Sequence, residues 1–189
     1  MTKISDARIL IMASDGFEQS ELMVPQGQLA GMGATVHVAT PDGAAIKGWD
    51  EKDWGETVEA DLKIADARSS DYDALVLPGG QINPDVLRLN SDALDLIRDF
   101  AAEGRIVAAI CHAPWLLIEA GLAEGREMTS YKSIRTDLKN AGAKVVDAEV
   151  ATSNGIITSR NPDDLQAFVA KIVEEIEEGR HDRPKVAAE

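Results

Sequence analysis

The chain has few of the residues that build disulfides and metal sites: one cysteine, Cys111, and three histidines in 189 residues. A single cysteine forms no internal disulfide, and one Cys with one neighbouring His is too few ligands for a closed metal centre. Basic residues are also scarce, 19 Lys and Arg against 33 Asp and Glu, for a formal net charge of -14. Such a surface repels phosphate, so neither a nucleic-acid nor a membrane partner is expected. No apolar run approaches the ~20 residues that span a bilayer, and Met1 to Ala7 lacks the basic start and apolar middle of a signal peptide. These absences lead to the expectation of a soluble protein in a reducing cytoplasm, with a free thiol and no cofactor.

At 44% hydrophobic and 28% charged, the sequence has the composition of one globular domain over 1–189, with its core at about 7–178 and a polar tail at 179–189. Strand-like and helix-like periods alternate. Arg8 to Ala13 is a short apolar run, followed by a helical pattern from about Ser20 to Met32 in which Pro25 must lie in the first turn or kink the helix. Strands are expected at Thr35 to Ala39, Ala74 to Leu77 and Arg105 to Ile110, and short ones near Val145, Val150 and Ile156 to Thr158. Helices are expected at Ser91 to Glu103, Pro114 to Ala120, Ser133 to Ala141 and Pro162 to about Glu178. Residues 44–65 break this rhythm and read as an inserted hairpin or flap. Strands alternating with helices imply an α/β three-layer sandwich around a mainly parallel sheet, with the ligand site at the carboxyl ends of the strands.

Three features fall at those ends. Cys111 sits where an apolar strand gives way to His112-Ala113-Pro114 and a helix, a strand–turn–helix elbow that projects the side chain and points a helix N-terminus at it. Ready ionisation of the thiol is expected, and the thiolate is the nucleophile. Glu18 follows the first strand, either as a surface carboxylate or, in a dry pocket, as a protonated donor beside the sulfur. Gly79 and Gly80 follow the third long strand, either as a tight turn or as N–H donors that hold developing negative charge together with the N–H of His112. The side chains of Cys111 and His112, adjacent at a sharp turn, are expected to point apart. The imidazole then serves as a proton shuttle, provided that a carboxylate such as Asp85 fixes its tautomer; otherwise Asp85 simply begins a helix.

The segments Asp15-Gly16-Phe17-Glu18-Gln19-Ser20-Glu21-Leu22, Asp73-Ala74-Leu75-Val76-Leu77-Pro78-Gly79-Gly80, Ala109-Ile110-Cys111-His112-Ala113-Pro114 and Thr129-Ser130-Tyr131 resemble those of the PfpI family of intracellular cysteine hydrolases. Asn140-Ala141-Gly142-Ala143 and Thr158 to Leu165 continue the likeness, which spans about 7–178. The resemblance implies a flavodoxin-like fold, related to class I glutamine amidotransferases and to the parkinsonism-associated deglycase superfamily. It further implies Cys111 as a strained nucleophile, Glu18 as its hydrogen-bond partner, Asp85 reaching His112 across a subunit interface, and assembly as dimers or hexamers of dimers. Two positions depart from the family pattern. Ala113 stands where glycine is common and is expected to narrow the substrate pocket, and Asp85 stands where some members carry the longer glutamate.

The same resemblance implies a hydrolase in stress protection, acting on peptides, on methylglyoxal, or on early glycation adducts. All three begin with thiolate attack on an electrophilic carbon. Glutamine amidotransfer fits less well, because it needs a late base histidine and only His181, in the polar tail, follows His112. A redox sensor using reversible oxidation of Cys111 is the alternative of another class. His37 reads as structural. Arg160 reads as capping a strand end or binding a carboxylate, and Trp49, Trp54 and Trp115 as core, rim or interface residues.

Overall fold

The computed structural model describes residues 2–179, so the expected tail beyond Gly179, with His181, lies outside the described residues. The strands are β1 (Arg8–Met12), β2 (Phe17–Glu18), β3 (Thr35–Thr40), β4 (Ile46–Asp50), β5 (Asp53–Val58), β6 (Leu62–Lys63), β7 (Ala74–Leu77), β8 (Ile106–Ile110), β9 (Glu127–Met128), β10 (Lys144–Val145), β11 (Val150–Ser153) and β12 (Ile156–Ser159). The helices are α1 (Gln19–Gly31), α2 (Ile82–Leu87), α3 (Ser91–Ala102), α4 (Pro114–Glu119), α5 (Arg135–Asn140) and α6 (Leu165–Glu178).

Seven strands form the central sheet in the order β11-β12-β8-β7-β1-β3-β6, parallel except for β11, which runs antiparallel to β12. The period of two in each strand divides the core. Ile9, Ile11, Val76, Ala108 and Ile157 face α1 and α6, meeting Leu22, Leu29, Phe168 and Ile172. Leu10, Met12, Leu75, Leu77 and Val107 face the opposite way and meet Phe100 of α3, Leu117 of α4 and Leu138 of α5. The result is the flavodoxin-like three-layer sandwich, and burial on both faces explains why β1, β7 and β8 read as unbroken apolar runs.

Chain direction places the site. β1 leads through α1 to β3 on one side, whereas β7 leads through α3 to β8 on the other, so the order reverses between β1 and β7. A crevice opens at the carboxyl ends of strands at such a reversal. The irregular stretch at 44–65 resolves into the β4–β5 hairpin, which joins β2 in a separate three-stranded sheet beside this crevice, with Trp49 and Trp54 edge to face at 5.5 Å. Pro25 lies inside α1, a turn further along than expected, and supplies no N–H for the carbonyl of Glu21. None of the helices among the described residues is long and apolar enough to cross a membrane.

Candidate active site

Cys111 follows β8 with a φ of +65°, in the left-handed region. A residue with a Cβ is strained there by about 1–2 kcal/mol, so its neighbours must hold it. They do so from both sides: the Cys111 N–H donates to the Ser159 carbonyl at the end of β12 (3.1 Å), and the Cys111 carbonyl accepts from the Tyr131 N–H (2.8 Å). The elbow puts the sulfur at the floor of a cavity of about 390 Å3 whose walls include Glu18, Trp49, Gly80, His112 and Tyr131. The Cys111 residue is 5% exposed.

The carboxyl beside the sulfur belongs to Glu21, which corrects the assignment to Glu18. Glu18 ends β2 and caps α1: its carboxylate accepts from the Glu21 N–H (2.9 Å) and from the Ser20 hydroxyl. Capping at Glu18 turns the third helical residue inward, so Glu21 is fully buried and its Oε2 accepts the Gly79 N–H at 2.8 Å. Glu21 and Cys111 close around Gly79 so tightly that a Cβ there would lie 2.6 Å from Glu21 Oε2 and 2.7 Å from Cys111 Cβ. Gly80, at φ +79°, comes as close to β2, and a Cβ there would lie 2.7 Å from the Glu18 nitrogen.

Burial pushes the Glu21 carboxyl up from 4.5 to about 8, and the charge of Glu18 adds to the rise; the hydrogen bonds from Gly79 and Cys111 pull the other way. The Cys111 thiol is also pushed up, first by burial and then by the charge of Glu21, against the N–H groups of Gly80 and His112 that face the sulfur. This runs against the expectation of a readily ionised thiol: burial is the largest influence, and the N–H groups of Gly80 and His112 offset it only in part. The repulsion from Glu21 exists only while that carboxyl is charged. Below about pH 8 Glu21 keeps its proton and is a donor toward the sulfur.

His112 meets Cys111 directly, against expectation. Its Nδ1 is 3.1 Å from Sγ, and its Nε2 is 3.1 Å from the Ser133 hydroxyl oxygen. In an extended chain neighbouring side chains diverge, but the left-handed turn at Cys111 swings the two together. The imidazole stacks on Tyr131 at 4.8 Å and meets Trp115 edge to face at 5.4 Å. Burial lowers its affinity for a proton, so the ring rests neutral and available as an acceptor.

Within the single chain, other expected site residues lie elsewhere. Asp85 is on the outer side of α2, with an exposed side chain 3.8 Å from Arg88. The Gly79 N–H is taken by Glu21, leaving the N–H groups of Gly80 and His112 as the donors at the sulfur. Ala113 is wholly buried in the apolar layer with Leu116 and Leu117 instead of narrowing the pocket. Arg160 is held by Asp164 and Asp147, and His37 Nδ1 lies 3.0 Å from the Tyr72 hydroxyl, both structural roles. Trp115 braces His112 from behind while its N–H donates to Asp137 (2.8 Å). Among the described residues no group of three or more His, Cys, Asp or Glu is placed to hold a metal ion.

Besides Glu21 and Ser133, the sequence reading missed Asn83. It is fully buried, accepts the Ser14 N–H at 2.7 Å and donates to the Pro78 carbonyl at 2.8 Å, tying the loop after β1 to the loop after β7 beneath the pocket. The spacing Glu18-x-x-Glu21 was the available signal for Glu21, since a residue at a helix start caps the N–H three positions on.

The sequence profile of the DJ-1/PfpI family matches residues 7–175. The chain is 40% identical over 166 residues to Deglycase TK1284 of Thermococcus kodakarensis, covering 88% of this chain and 97% of the relative. It is 40% identical over 162 residues to the putative cysteine protease YraA of Bacillus subtilis, covering 85% and 93%. Among solved structures, that of Drosophila melanogaster DJ-1beta superposes with a TM-score of 0.82 at 33% identity, covering 93% of this chain and 91% of that one.

Proposed function

From its membership of the DJ-1/PfpI family, we propose that this chain is a cysteine-dependent hydrolase that breaks down early glycation adducts of small carbonyls. The observation that carries the reading is the sulfur of Cys111 at the floor of a cavity of about 390 Å3, between a buried carboxyl and a neutral imidazole nitrogen. A pocket of that size takes a modified side chain or a three-carbon carbonyl more readily than a folded protein. The name deglycase, carried by the Thermococcus relative, points the same way.

In the proposed first step the Cys111 S–H bond breaks, its proton passes to Nδ1 of His112, and the sulfur adds to the electrophilic carbonyl carbon of the adduct. The carbonyl π pair moves onto oxygen. Charge thus shifts from sulfur to oxygen beside the N–H groups of Gly80 and His112, and protonated Glu21 donates toward the same sulfur. On the neighbouring carbinolamine carbon the C–N bond then breaks, and its electron pair goes to nitrogen, which takes the proton from Nδ1. The carbinol oxygen becomes a carbonyl and passes its proton to the alkoxide. This leaves free amine, a neutral imidazole and a carbonyl product bound to sulfur through a hemithioketal, which collapses to free the thiol. Cytoplasmic residence, a role in stress protection and self-association as a dimer or as a hexamer of dimers belong to the same proposal.

The test is release of free amine from the methylglyoxal adduct of N-acetyl-lysine methyl ester, followed by NMR beside hydrolysis of a fluorogenic peptide. Release above the Cys111→Ala background, faster than peptide cleavage, is expected. Equal rates for wild type and Cys111→Ala would refute the enzyme, and peptide cleavage alone would move the reading to a peptidase.

A further inference from the structure

We propose that the β4–β5 hairpin makes the mouth of this cavity selective for positively charged substrate groups, with Glu51 as the specificity-determining residue. The inference rests on the reading of Cys111 as nucleophile and narrows the adducts that reach it to those carrying a cation, guanidinium adducts of small carbonyls first among them.

The cavity walls hold charge of one sign. Glu18 and Glu51 line it, and among the described residues no Lys or Arg does. Deeper in, Glu21 keeps its proton below about pH 8 and His112 is neutral, so nothing on the floor offsets the two carboxylates. Lys52 and Lys132 follow Glu51 and Tyr131 in the chain, but neither lines the cavity, and Arg160 is held by Asp164 and Asp147. A cleft with a field of one sign concentrates the opposite charge and turns away its own.

The hairpin adds an aromatic surface. β4 pairs with β2 in a register that sets Trp49 beside Glu18, and the half-buried Trp49 lines the same cavity. An indole face attracts a cation through its quadrupole, and a planar guanidinium stacks on it. Carboxylates next to an aromatic ring therefore suit a cation and give an anion no partner.

This wall is fixed in place. The Trp49 indole N–H donates to the Glu51 carbonyl (3.2 Å), and the Glu56 N–H donates to the Gln19 side chain at the start of α1 (2.6 Å). Glu51 itself turns the hairpin with a φ of +50°, a conformation that favours glycine, yet the residue held there is an exposed carboxylate.

The test reads charge preference at Cys111 without turnover. The full-length protein is treated separately with 2-(trimethylammonium)ethyl and 2-sulfonatoethyl methanethiosulfonate. The Cys111 thiolate attacks the sulfenyl sulfur of each, forming a mixed disulfide and releasing methanesulfinate, and intact mass gives the rates, divided by those of a small free thiol in the same buffer. The expected wild-type preference for the cation is about tenfold, falling about threefold in Glu51→Gln, further in Glu51→Lys, and about twofold in Trp49→Leu. It should shrink in 1 M salt. Asp6→Asn, which removes one charge from an exposed position just before β1, should keep the wild-type ratio. In parallel, KM for the methylglyoxal adduct of N-acetyl-arginine methyl ester should rise about threefold in Glu51→Gln with kcat little changed. The proposal is overturned if the wild type shows no preference beyond the free thiol, if Glu51→Lys keeps the wild-type ratio, or if Asp6→Asn lowers it as much as Glu51→Gln. A protein that separates the two reagents but releases no amine from an adduct would support the charge filter and refute the function.

Discussion

Replacing Glu21 by glutamine tests the electrostatics of the site through stability alone. The folded chain holds this carboxyl proton up to about pH 8, whereas an ordinary glutamate releases it at 4.5. Between those values the unfolded chain binds fewer protons than the native one, so stability falls as pH rises through the window and levels off above it. A displacement of this size corresponds to about 5 kcal/mol over the whole window and about 2–3 kcal/mol between pH 5 and 7. Glu21→Gln keeps the shape and an acceptor for the Gly79 N–H but has no proton to lose. Urea denaturation followed by circular dichroism, with both proteins measured at pH 5, 6, 7 and 8, should therefore show a stability gap in favour of the variant that widens with pH. Carboxylates remote from Glu21 titrate alike in both proteins and cancel in the difference. Parallel curves would refute the argument, because they would mean that Glu21 ionises in the folded chain much as it does in the unfolded one.

Two further substitutions probe the scaffold. At a φ of +65° glycine is relaxed and alanine is not, so Cys111→Gly should be more stable than Cys111→Ala by about 0.5–1 kcal/mol in chemical denaturation, the reverse of the usual order; a more stable alanine variant would show that the elbow carries no strain. Asn83→Ala leaves the Ser14 N–H and the Pro78 carbonyl unpaired in the interior and should cost about 2–4 kcal/mol, seen as a lowered Tm, with adduct turnover falling as the loops after β1 and β7 loosen. A Tm within a degree of wild type would remove Asn83 from the framework of the site.

The layers of the fold were legible because β1, β7 and β8 are buried on both faces and α3 and α6 each carry one apolar stripe, a contrast that periodicity reads directly. Cys111 was legible for the same reason, as the first polar position after an apolar run. Its partners were not. The carboxyl at the sulfur depends on which of two glutamates caps α1 and which turns inward, a difference of three residues at a strand–helix junction where β2 is only two residues long. The contact between Cys111 and His112 arises from one left-handed residue, and no hydropathy pattern encodes a single φ. Ser133 comes from a distant loop whose placement depends on the Tyr131 N–H finding the elbow carbonyl. The short α2 was legible only as the alternative in which Asp85 begins a helix, because its outward face leaves Ile82 and Val86 exposed and it has no amphipathic stripe. The raised thiol illustrates a further gap: the elbow motif suggests activation, but the degree of burial that opposes it is a property of the assembled pocket.

The central claim is that the Cys111 sulfur bonds to the carbon of the adduct during turnover. Rapid acid quench of the protein mixed with the methylglyoxal adduct of N-acetyl-lysine methyl ester, followed by peptide mass mapping, measures this directly. The account predicts a mass gain confined to the peptide containing Cys111, appearing and decaying at the rate of turnover and absent from Cys111→Ala. Turnover that proceeds with Cys111 unmodified, or that survives in Cys111→Ala, would contradict it.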